Sequence, residues 1–278
     1  MAKICSVPVL AILLYMGFTY YSTLFIFMAE LKAGLINALL FTFFVFMCLL
    51  SFILSVVTDP GQVPSTFLPD IEDQQQLSVE EQQQQQQASS TNSNVLNKRY
   101  CDKCSAYKPP RSHHCRVCKR CVLRMDHHCL WINNCVGLSN YKPFLIFILY
   151  AAICCIYSMV VTTSAALQKD WESSGQSHLK YYYIGCGSTT GMFCFVLVSL
   201  FVWNLYLVAH NMTTIEHHEG VRAKWLARKS GQTYHHPFDM GLCNNLKMIL
   251  GPSKLKWLCP TALGHLRDET NFPTSRSR

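Results

Sequence analysis

Charged residues are scarce in this chain of 278 residues. Asp, Glu, Lys and Arg make up 14% of the sequence, whereas soluble domains usually contain about 25%. The shortage is confined to four segments that contain no charged side chain at all: residues 7–29, 35–57, 144–167 and 184–208. About 20 apolar residues are enough to cross a bilayer as a helix. The composition therefore excludes an ordinary soluble protein and predicts four transmembrane helices.

The first segment also lacks the features of a cleaved signal peptide. Its uncharged run is longer than the roughly 7 to 15 residues of a signal-peptide core, and no small-residue cleavage site stands out before Glu30. We therefore expect it to remain as the first transmembrane helix.

Positive charge is distributed unevenly between the two sides of the predicted membrane. Of the 24 Lys and Arg residues, ten lie between the second and third segments and ten follow the fourth. Since positive residues favour the cytosolic side, both termini and the central loop are predicted to be cytosolic. The net charge of +8 on this face would attract anionic lipid or an anionic ligand. A nucleic acid would also match the charge but not the four segments, so we expect the lipid bilayer and not nucleic acid as a partner.

The fold class that follows is an all-α polytopic membrane protein with a cytosolic, zinc-bound, cysteine-rich module between helices 2 and 3. Thiols stay reduced in the cytosol, so clustered cysteines there indicate metal binding or catalysis instead of disulfides. Residues 58–97 read as a linker, because they contain a glutamine run and little to bury. The predicted divisions are an N-terminus (1–6), helices 1 and 2 (7–57), the linker (58–97), the module (98–142), helices 3 and 4 (143–209) and a cytosolic tail with amphipathic segments (210–278).

The module contains seven cysteines and four histidines between Cys101 and Cys135. Structural zinc takes four Cys or His ligands, and C-x-x-C pairs are common half-sites. Two zinc ions would use eight of these eleven residues and leave three over. Spacing alone does not decide which residues pair.

At this point the sequence resembles the DHHC family of protein S-acyltransferases. The resemblance is carried by C-x-x-C, then HHC-x-x-C-x-x-C, then DHHC with a further cysteine six residues on, all between the second and third of four apolar segments. It extends to TDPG after the second segment, TTIE after the fourth and an asparagine in NNLKMILG. Details such as HHEGVRAKWLA and YHHPFDMG look most like plant members of the family.

The resemblance implies how the eleven residues divide. One structural zinc would be bound by Cys101, Cys104, His114 and Cys121, and the other by Cys115, Cys118, His128 and Cys135. His113, His127 and Cys129 are left, so Cys129 is the implied nucleophile. His127 beside it can take a proton, and Asp126 can orient that imidazole. By the same resemblance, Thr214 is expected to contact Asp126, and Asn245 to hold the tail against the membrane domain.

The implied activity is transfer of a long-chain fatty acyl group from acyl-CoA, through S-acyl-Cys129, to cysteines of membrane-associated proteins. Basic residues of the module could meet the phosphates of the CoA head group: Lys108, Arg111, Arg116, Lys119, Arg120 and Arg124. The acyl chain would lie among the helices, with small or polar residues as candidate lining: Ser22, Thr23, Cys154 and Ser158.

Two other functions fit part of the pattern. The module could be a catalytically inactive zinc scaffold for protein partners, or a membrane-bound domain resembling the ubiquitin ligases that also use paired zinc sites. The DHHC tetrad and the accompanying Thr214 favour the enzyme. The resemblance to plant members, many of them in the Golgi, predicts a Golgi membrane location, with other endomembranes or the plasma membrane as alternatives.

Overall fold

Four long apolar helices form the body of the protein. The computed structural model describes residues 6–30, 34–64, 67, 100–168, 177–262 and 272–274. The helices are α1 (Val7–Glu30), α2 (Gly34–Val57), α3 (Tyr141–Gln168) and α4 (Ser177–Ala209), and each is long and apolar enough to cross a membrane. The prediction of four transmembrane helices is confirmed.

Helix α3 is the centre of this bundle. It packs along α2 on one side and α4 on the other, and it also contacts α1. About two thirds of its apolar stretch is buried inside the protein, whereas the other three helices bury a third or less. Helices α1, α2 and α4 therefore present most of their apolar surface outward, as expected where the solvent is lipid.

A small β-rich module lies between α2 and α3, so the chain is mainly but not wholly helical. It consists of three antiparallel hairpins, each made of two consecutive strands. The pairs are β1 (Tyr100–Cys101) with β2 (Ala106–Tyr107), β3 (His113–Cys115) with β4 (Arg120–Val122), and β5 (His127–Cys129) with β6 (Asn134–Val136).

The segment after α2 attaches this module to the membrane helices. Gln62 pairs with Val122 as a short extension of the second hairpin, and the backbone N–H of Leu123 donates to the carbonyl of Gly61 at 2.9 Å. Gly137 makes the close approach possible, because a Cβ there would lie only 2.6 Å from the carbonyl oxygen of Pro60. The module is thus fixed directly to the end of α2.

The tail folds back on the same end of the bundle. Helix α5 (Thr214–Lys229) follows α4 after a tight turn, and α6 (Leu242–Leu250) packs against α3 and α4. The ammonium group of Lys142, at the start of α3, donates to the carbonyl oxygens of Leu250, Lys256 and Ala262 at 2.8 to 3.0 Å. The tail therefore lies on the bundle end that also carries the module.

Candidate active site and metal centres

The structure brings together two groups of four Cys and His side chains. Within each group the potential ligand atoms all lie within 4.8 Å of one another. We call them site 1 and site 2. Site 1 consists of Cys101, Cys104, His114 and Cys121, and site 2 of Cys115, Cys118, His128 and Cys135. These are the eight residues, in the same two sets, that the resemblance implied.

The spacing of the ligand atoms in both sites fits tetrahedral zinc. Zn–S bonds of about 2.3 Å and Zn–N bonds of about 2.0–2.1 Å place sulfur and nitrogen roughly 3.5 Å apart, and two sulfurs roughly 3.8 Å apart. In site 2 the Nδ1 atom of His128 lies 3.4 to 3.6 Å from the three sulfurs. In site 1 the Nδ1 atom of His114 lies 3.2 to 3.9 Å from its three sulfurs, and the sulfurs of Cys104 and Cys121 are 3.8 Å apart. The donor set and the distances both suit Zn²⁺.

Each site joins two neighbouring hairpins. In the second hairpin, His114 lies opposite Cys121, and both belong to site 1; in the third, His128 lies opposite Cys135, and both belong to site 2. The remaining ligands come from the C-x-x-C turn of the preceding hairpin. Two metal ions would therefore link three hairpins in series, which would compensate for a module that is too small to build a large apolar core.

The pleat of β5 places its three side chains on two faces. Successive side chains on a strand point to opposite faces. His128 faces site 2, so His127 and Cys129 face the other way, toward the membrane helices. Strand β3 has the same sequence and supplies ligands on both faces, His114 to site 1 and Cys115 to site 2, so the pleat alone does not keep Cys129 out of a metal site.

The third hairpin repeats the second one with a single decisive difference. Residues 113–122 read HHCRVCKRCV, and residues 127–136 read HHCLWINNCV. Cys129 occupies the position of the ligand Cys115, but Ile132 occupies the position of its partner Cys118. Ile132 is fully buried in the main hydrophobic core. Cys129 consequently lacks the second thiol of the half-site and stays outside both metal groups.

The side chains of Asp126 and His127 form the next part of the site. The Asp126 carboxylate accepts a hydrogen bond from the Nδ1 atom of His127 at 2.7 Å. It also accepts two from Thr214, one from the backbone N–H at 2.8 Å and one from the hydroxyl at 2.9 Å. Asp126 is buried, and these bonds fix the orientation of the imidazole next to Cys129.

Electrostatics favour an ion pair between these two side chains. Burial raises the pKa of Asp126, but hydrogen bonds from His127 and Thr214 outweigh it and lower the pKa below the ordinary value. Burial lowers the pKa of His127, whereas hydrogen bonds to Asp126 and Cys129 raise it to about 9. The His127 imidazole is hydrogen-bonded to Cys129 and places a positive charge and a proton donor beside its sulfur. The arrangement is therefore suited to nucleophilic catalysis by Cys129.

Thr214 is held in place by a buried ion pair that connects the module to the tail. Arg111 donates two hydrogen bonds to the Glu216 carboxylate, at 2.7 and 2.8 Å. Glu216 in turn accepts from the backbone N–H of Thr213, whose hydroxyl accepts from the N–H of Glu216; this capping box begins α5. Arg111 also donates to two oxygens of Asn211. Burial raises the pKa of Glu216, but the charge and hydrogen bonds of Arg111 hold it below its usual range.

A cavity of about 650 Å³ opens beside Cys129. Its mouth is lined by Cys129, His127, Trp131 and Thr214, and its walls come from all four membrane helices. Along α3 the lining extends from Phe144 to Cys155, which is about 16 Å at 1.5 Å per residue. The walls are almost entirely apolar, so the cavity suits an apolar chain whose reactive end lies at Cys129.

Only one of the four residues suggested for the cavity lining occupies that place. Cys154 lines the cavity, but Ser22, Thr23 and Ser158 do not. The hydroxyls of Thr23 and Ser158 are instead hydrogen-bonded to each other at 2.7 Å, between α1 and α3. They pack helices, which is a common use of small polar residues in membranes.

The six basic residues suggested for CoA binding differ in their exposure, and Lys108 is half-buried. Arg111 and Arg124 are buried, so neither is available to a phosphate in solution; Arg124 lies over the Tyr141 ring and donates to Asn211. Arg120 is partly exposed and pairs with Asp59 at 2.7 Å. Arg116 and Lys119 are exposed and stay candidates. The burial of Arg111 and Arg124 speaks against a contact with CoA, and a count of basic residues does not show which of them face inward.

Asn245 lies at the junction of the tail and the bundle and is fully buried. Its amide donates to the carbonyl of Ala209, at the end of α4, and to the Asp239 carboxylate, both at 2.7 Å. Its oxygen accepts from the backbone N–H of Met240 at 2.9 Å. Its partners lie in the tail and at the end of α4, which fits the expected role in fixing the tail.

Sequence reasoning missed the residues that connect these parts. Glu216 stood only as one letter of a motif, and Asn134 was not considered. Asn134 is fully buried and contacts the end of α2. Its one visible signal is its place next to the ligand Cys135.

Comparisons with known proteins agree with this geometry. A family model described as DHHC palmitoyltransferase matches residues 94–221. The chain is 47% identical over 266 residues to Probable protein S-acyltransferase 15 of Arabidopsis thaliana, covering 94% of this chain and 99% of the relative. It is 43% identical to Probable protein S-acyltransferase 16 of the same plant, covering 97% and 93%. It is 37% identical over 177 residues to Palmitoyltransferase ZDHHC2 of Homo sapiens, covering 63% and 46%.

Proposed function

Because this chain belongs to the DHHC palmitoyltransferase family and is a protein S-acyltransferase, we propose that Cys129 carries the acyl group during the reaction. The acyl donor is a long-chain acyl-CoA, and the acceptors are cysteines of membrane-associated proteins. The observation that carries the proposal is the position of Cys129, outside both metal sites and at the mouth of an apolar cavity. A nucleophile at this place can meet a thioester in water while the fatty chain lies among the helices.

The reaction has two balanced halves. In the first, the Cys129 thiolate attacks the thioester carbonyl of acyl-CoA; a new S–C bond forms, the bond to the CoA sulfur breaks, and the CoA sulfur takes the proton of the His127 imidazolium and leaves as a thiol. In the second, an acceptor cysteine gives its proton to the neutral His127 and attacks S-acyl-Cys129; the bond to the Cys129 sulfur breaks, which restores the Cys129 thiolate and the His127 imidazolium. One thioester is exchanged for another, so the chemistry requires neither ATP nor a redox partner.

The other side chains act on orientation. Asp126 holds the orientation of the His127 ring and pairs with its charge through the 2.7 Å hydrogen bond, and Thr214 holds Asp126. Zinc in sites 1 and 2 would supply the rigidity of the module and take no part in bond making. In particular, site 2 includes His128, the residue between His127 and Cys129, so it fixes the strand that carries both.

The four apolar helices fit a multi-pass membrane protein whose DHHC module is cytosolic. For the membrane itself we propose the Golgi, on the basis of the plant-like segments in the tail. For the CoA head group we propose contact with the exposed side chains of Arg116 and Lys119.

The test uses the purified full-length protein in detergent with labelled palmitoyl-CoA. Wild-type protein should gain a hydroxylamine-sensitive label. Cys129→Ser should lose the label and keep two zinc ions per chain, because a serine hydroxyl is a far weaker nucleophile than a thiolate near neutral pH. Cys135→Ser removes a ligand and should lose zinc and label together. Cys243→Ser, at an exposed cysteine on α6, is the matched control and should resemble wild type. Loss of zinc in Cys129→Ser would contradict the division into nucleophile and ligands.

A further inference from the structure

One side chain of the zinc module, Asn134, contacts three carbonyl groups at the end of α2. The Nδ2 atom of Asn134 lies 3.3 Å from the carbonyl oxygen of Ser55, 3.2 Å from that of Val56 and 2.9 Å from that of Thr58. The last carbonyls of a helix have no N–H partner within the helix and carry its partial negative charge. Two N–H bonds of one amide, shared among three carbonyls, satisfy these acceptors at a buried position.

Asn134 also lies directly across the third hairpin from Cys129. The two residues are register partners of β5 and β6. Cβ atoms of directly opposed residues are about 4.5–5.5 Å apart, and their side chains project from the same face of the hairpin. The face that directs Cys129 toward the cavity therefore also directs Asn134 toward the end of α2.

The contact is reinforced next to the metal. The side-chain oxygen of Asn134 accepts from the backbone N–H of Cys135, a ligand of site 2, at 3.1 Å. Asn140 adds a second bridge, since its amide donates to the carbonyls of Cys135 and Ser55. Hydrogen bonds thus connect the third hairpin, site 2 and the end of α2 directly.

Helix α2 is also a wall of the cavity, through Phe41, Val45 and Cys48. The attachment of the hairpin to α2 consequently sets the position of the Cys129 sulfur relative to the α2 side chains that line the acyl cavity. We infer that Asn134 is a positioning residue that places Cys129 relative to the acyl cavity, and that this placement contributes to the choice of acyl-chain length. The inference rests on the proposed function.

The inference can be tested because the position of the Cys129 sulfur relative to the cavity and the preferred length of the acyl chain are linked. If the sulfur moves relative to the cavity, the thioester moves with it, and the chain whose terminal methyl group best fits the cavity becomes longer or shorter. A residue that only supports folding would lower the reaction of all chain lengths by the same factor.

The experiment compares wild type with Asn134→Ala in the full-length protein, using lauroyl-, myristoyl-, palmitoyl- and stearoyl-CoA. Zinc content and the rate of acyl-enzyme formation are measured for each. Asn134→Ala should keep two zinc ions, form the acyl enzyme up to about 100-fold more slowly with the donor that wild type prefers, and change the order of preference among the four; misplacement of a reacting group by about 1 Å can cost that factor.

Asn133→Gly is the matched control. Asn133 is adjacent, its φ is +46°, and glycine accepts that backbone conformation, so rate and preference should both stay as in wild type. If Asn134→Ala loses zinc, Asn134→Ser, which retains one hydroxyl donor, is read in its place with the same expectations.

Three results would overturn the inference: an unchanged rate and preference, an equal loss with all four donors, or loss of zinc in both Asn134 variants. The last two would show that Asn134 supports the module and does not place Cys129. Failure of the proposed function is recognised separately, because wild-type protein itself would then form no hydroxylamine-sensitive acyl enzyme.

Discussion

The buried ion pair between Arg111 and Glu216 connects the zinc module to the tail. The Arg111 side chain is fully buried and that of Glu216 is 10% exposed. Replacing one member of a buried pair leaves an unpaired charge and costs about 3–5 kcal/mol. We therefore expect Arg111→Met and Glu216→Met each to lower stability by this amount, measured by thermal unfolding in detergent at constant zinc.

The double variant Arg111→Met/Glu216→Met separates stability from orientation. Replacing both members by apolar residues of similar size is often close to neutral, so stability should largely return. The capping contact of Glu216 with the Thr213 N–H is lost, however, and Thr214 is no longer fixed against Asp126. A hydrogen bond to a charged group contributes about 1.5–3 kcal/mol. If one such bond between Thr214 and Asp126 is lost in the transition state, acyl-enzyme formation slows by about 10- to 150-fold.

The assay measures single-turnover labelling by palmitoyl-CoA and the melting temperature. Both are measured for the wild type, the two single variants and the double variant. Arg222→Met replaces an exposed arginine of the same helix as Glu216 and should behave as wild type. Two outcomes would refute the reasoning. If the single variants melt like wild type, the pair adds little; if the double variant labels at the wild-type rate, the pair acts through stability alone and does not orient Thr214.

Two further predictions concern the tail. Asn245→Ala should lower the melting temperature and the labelling rate together, since each buried group left without a partner costs about 1–3 kcal/mol. Replacement of the neighbouring exposed asparagine, Asn244→Ala, should change little. Loss of activity at unchanged stability would instead assign Asn245 to the catalytic site. Asn211 lies in an N-x-T sequon but is fully buried and donates to the carbonyl of Phe238, so no glycosidase-sensitive mass shift is expected after expression in eukaryotic cells. Such a shift would place the tail in the lumen and overturn the orientation.

The helices and the metal groups were predictable because their signals are local. A run of more than 20 uncharged, mostly apolar residues strongly favours a transmembrane helix. All four such helices are present in the structure. The two sets of ligands were available from the family resemblance, and the hairpin register explains them: His114 opposes Cys121, and His128 opposes Cys135.

The connections between elements were not predictable, since they depend on how the helices rotate and where the module rests. From the sequence, Thr23 and Cys154 were equally suitable candidates for the cavity lining. Helix packing places Thr23 against the hydroxyl of Ser158 and Cys154 at the cavity. Arg111 looked like a surface charge, yet its partner Glu216 is 105 residues away. Asn134 shows no periodic signal at all, because its function is to satisfy the end of a helix that is distant in sequence.

The two similar hairpins, 113–122 and 127–136, show that one scaffold can serve two different purposes. In the second hairpin, the sulfur of Cys115 belongs to a metal group. In the third hairpin, isoleucine stands at position 132 in place of the second thiol, and the sulfur of Cys129 stays outside both groups. Under the proposed function, the first sulfur would hold a metal ion permanently and the second would hold a fatty acyl group for a single turnover. The side chain at one position would then decide between a structural and a catalytic hairpin.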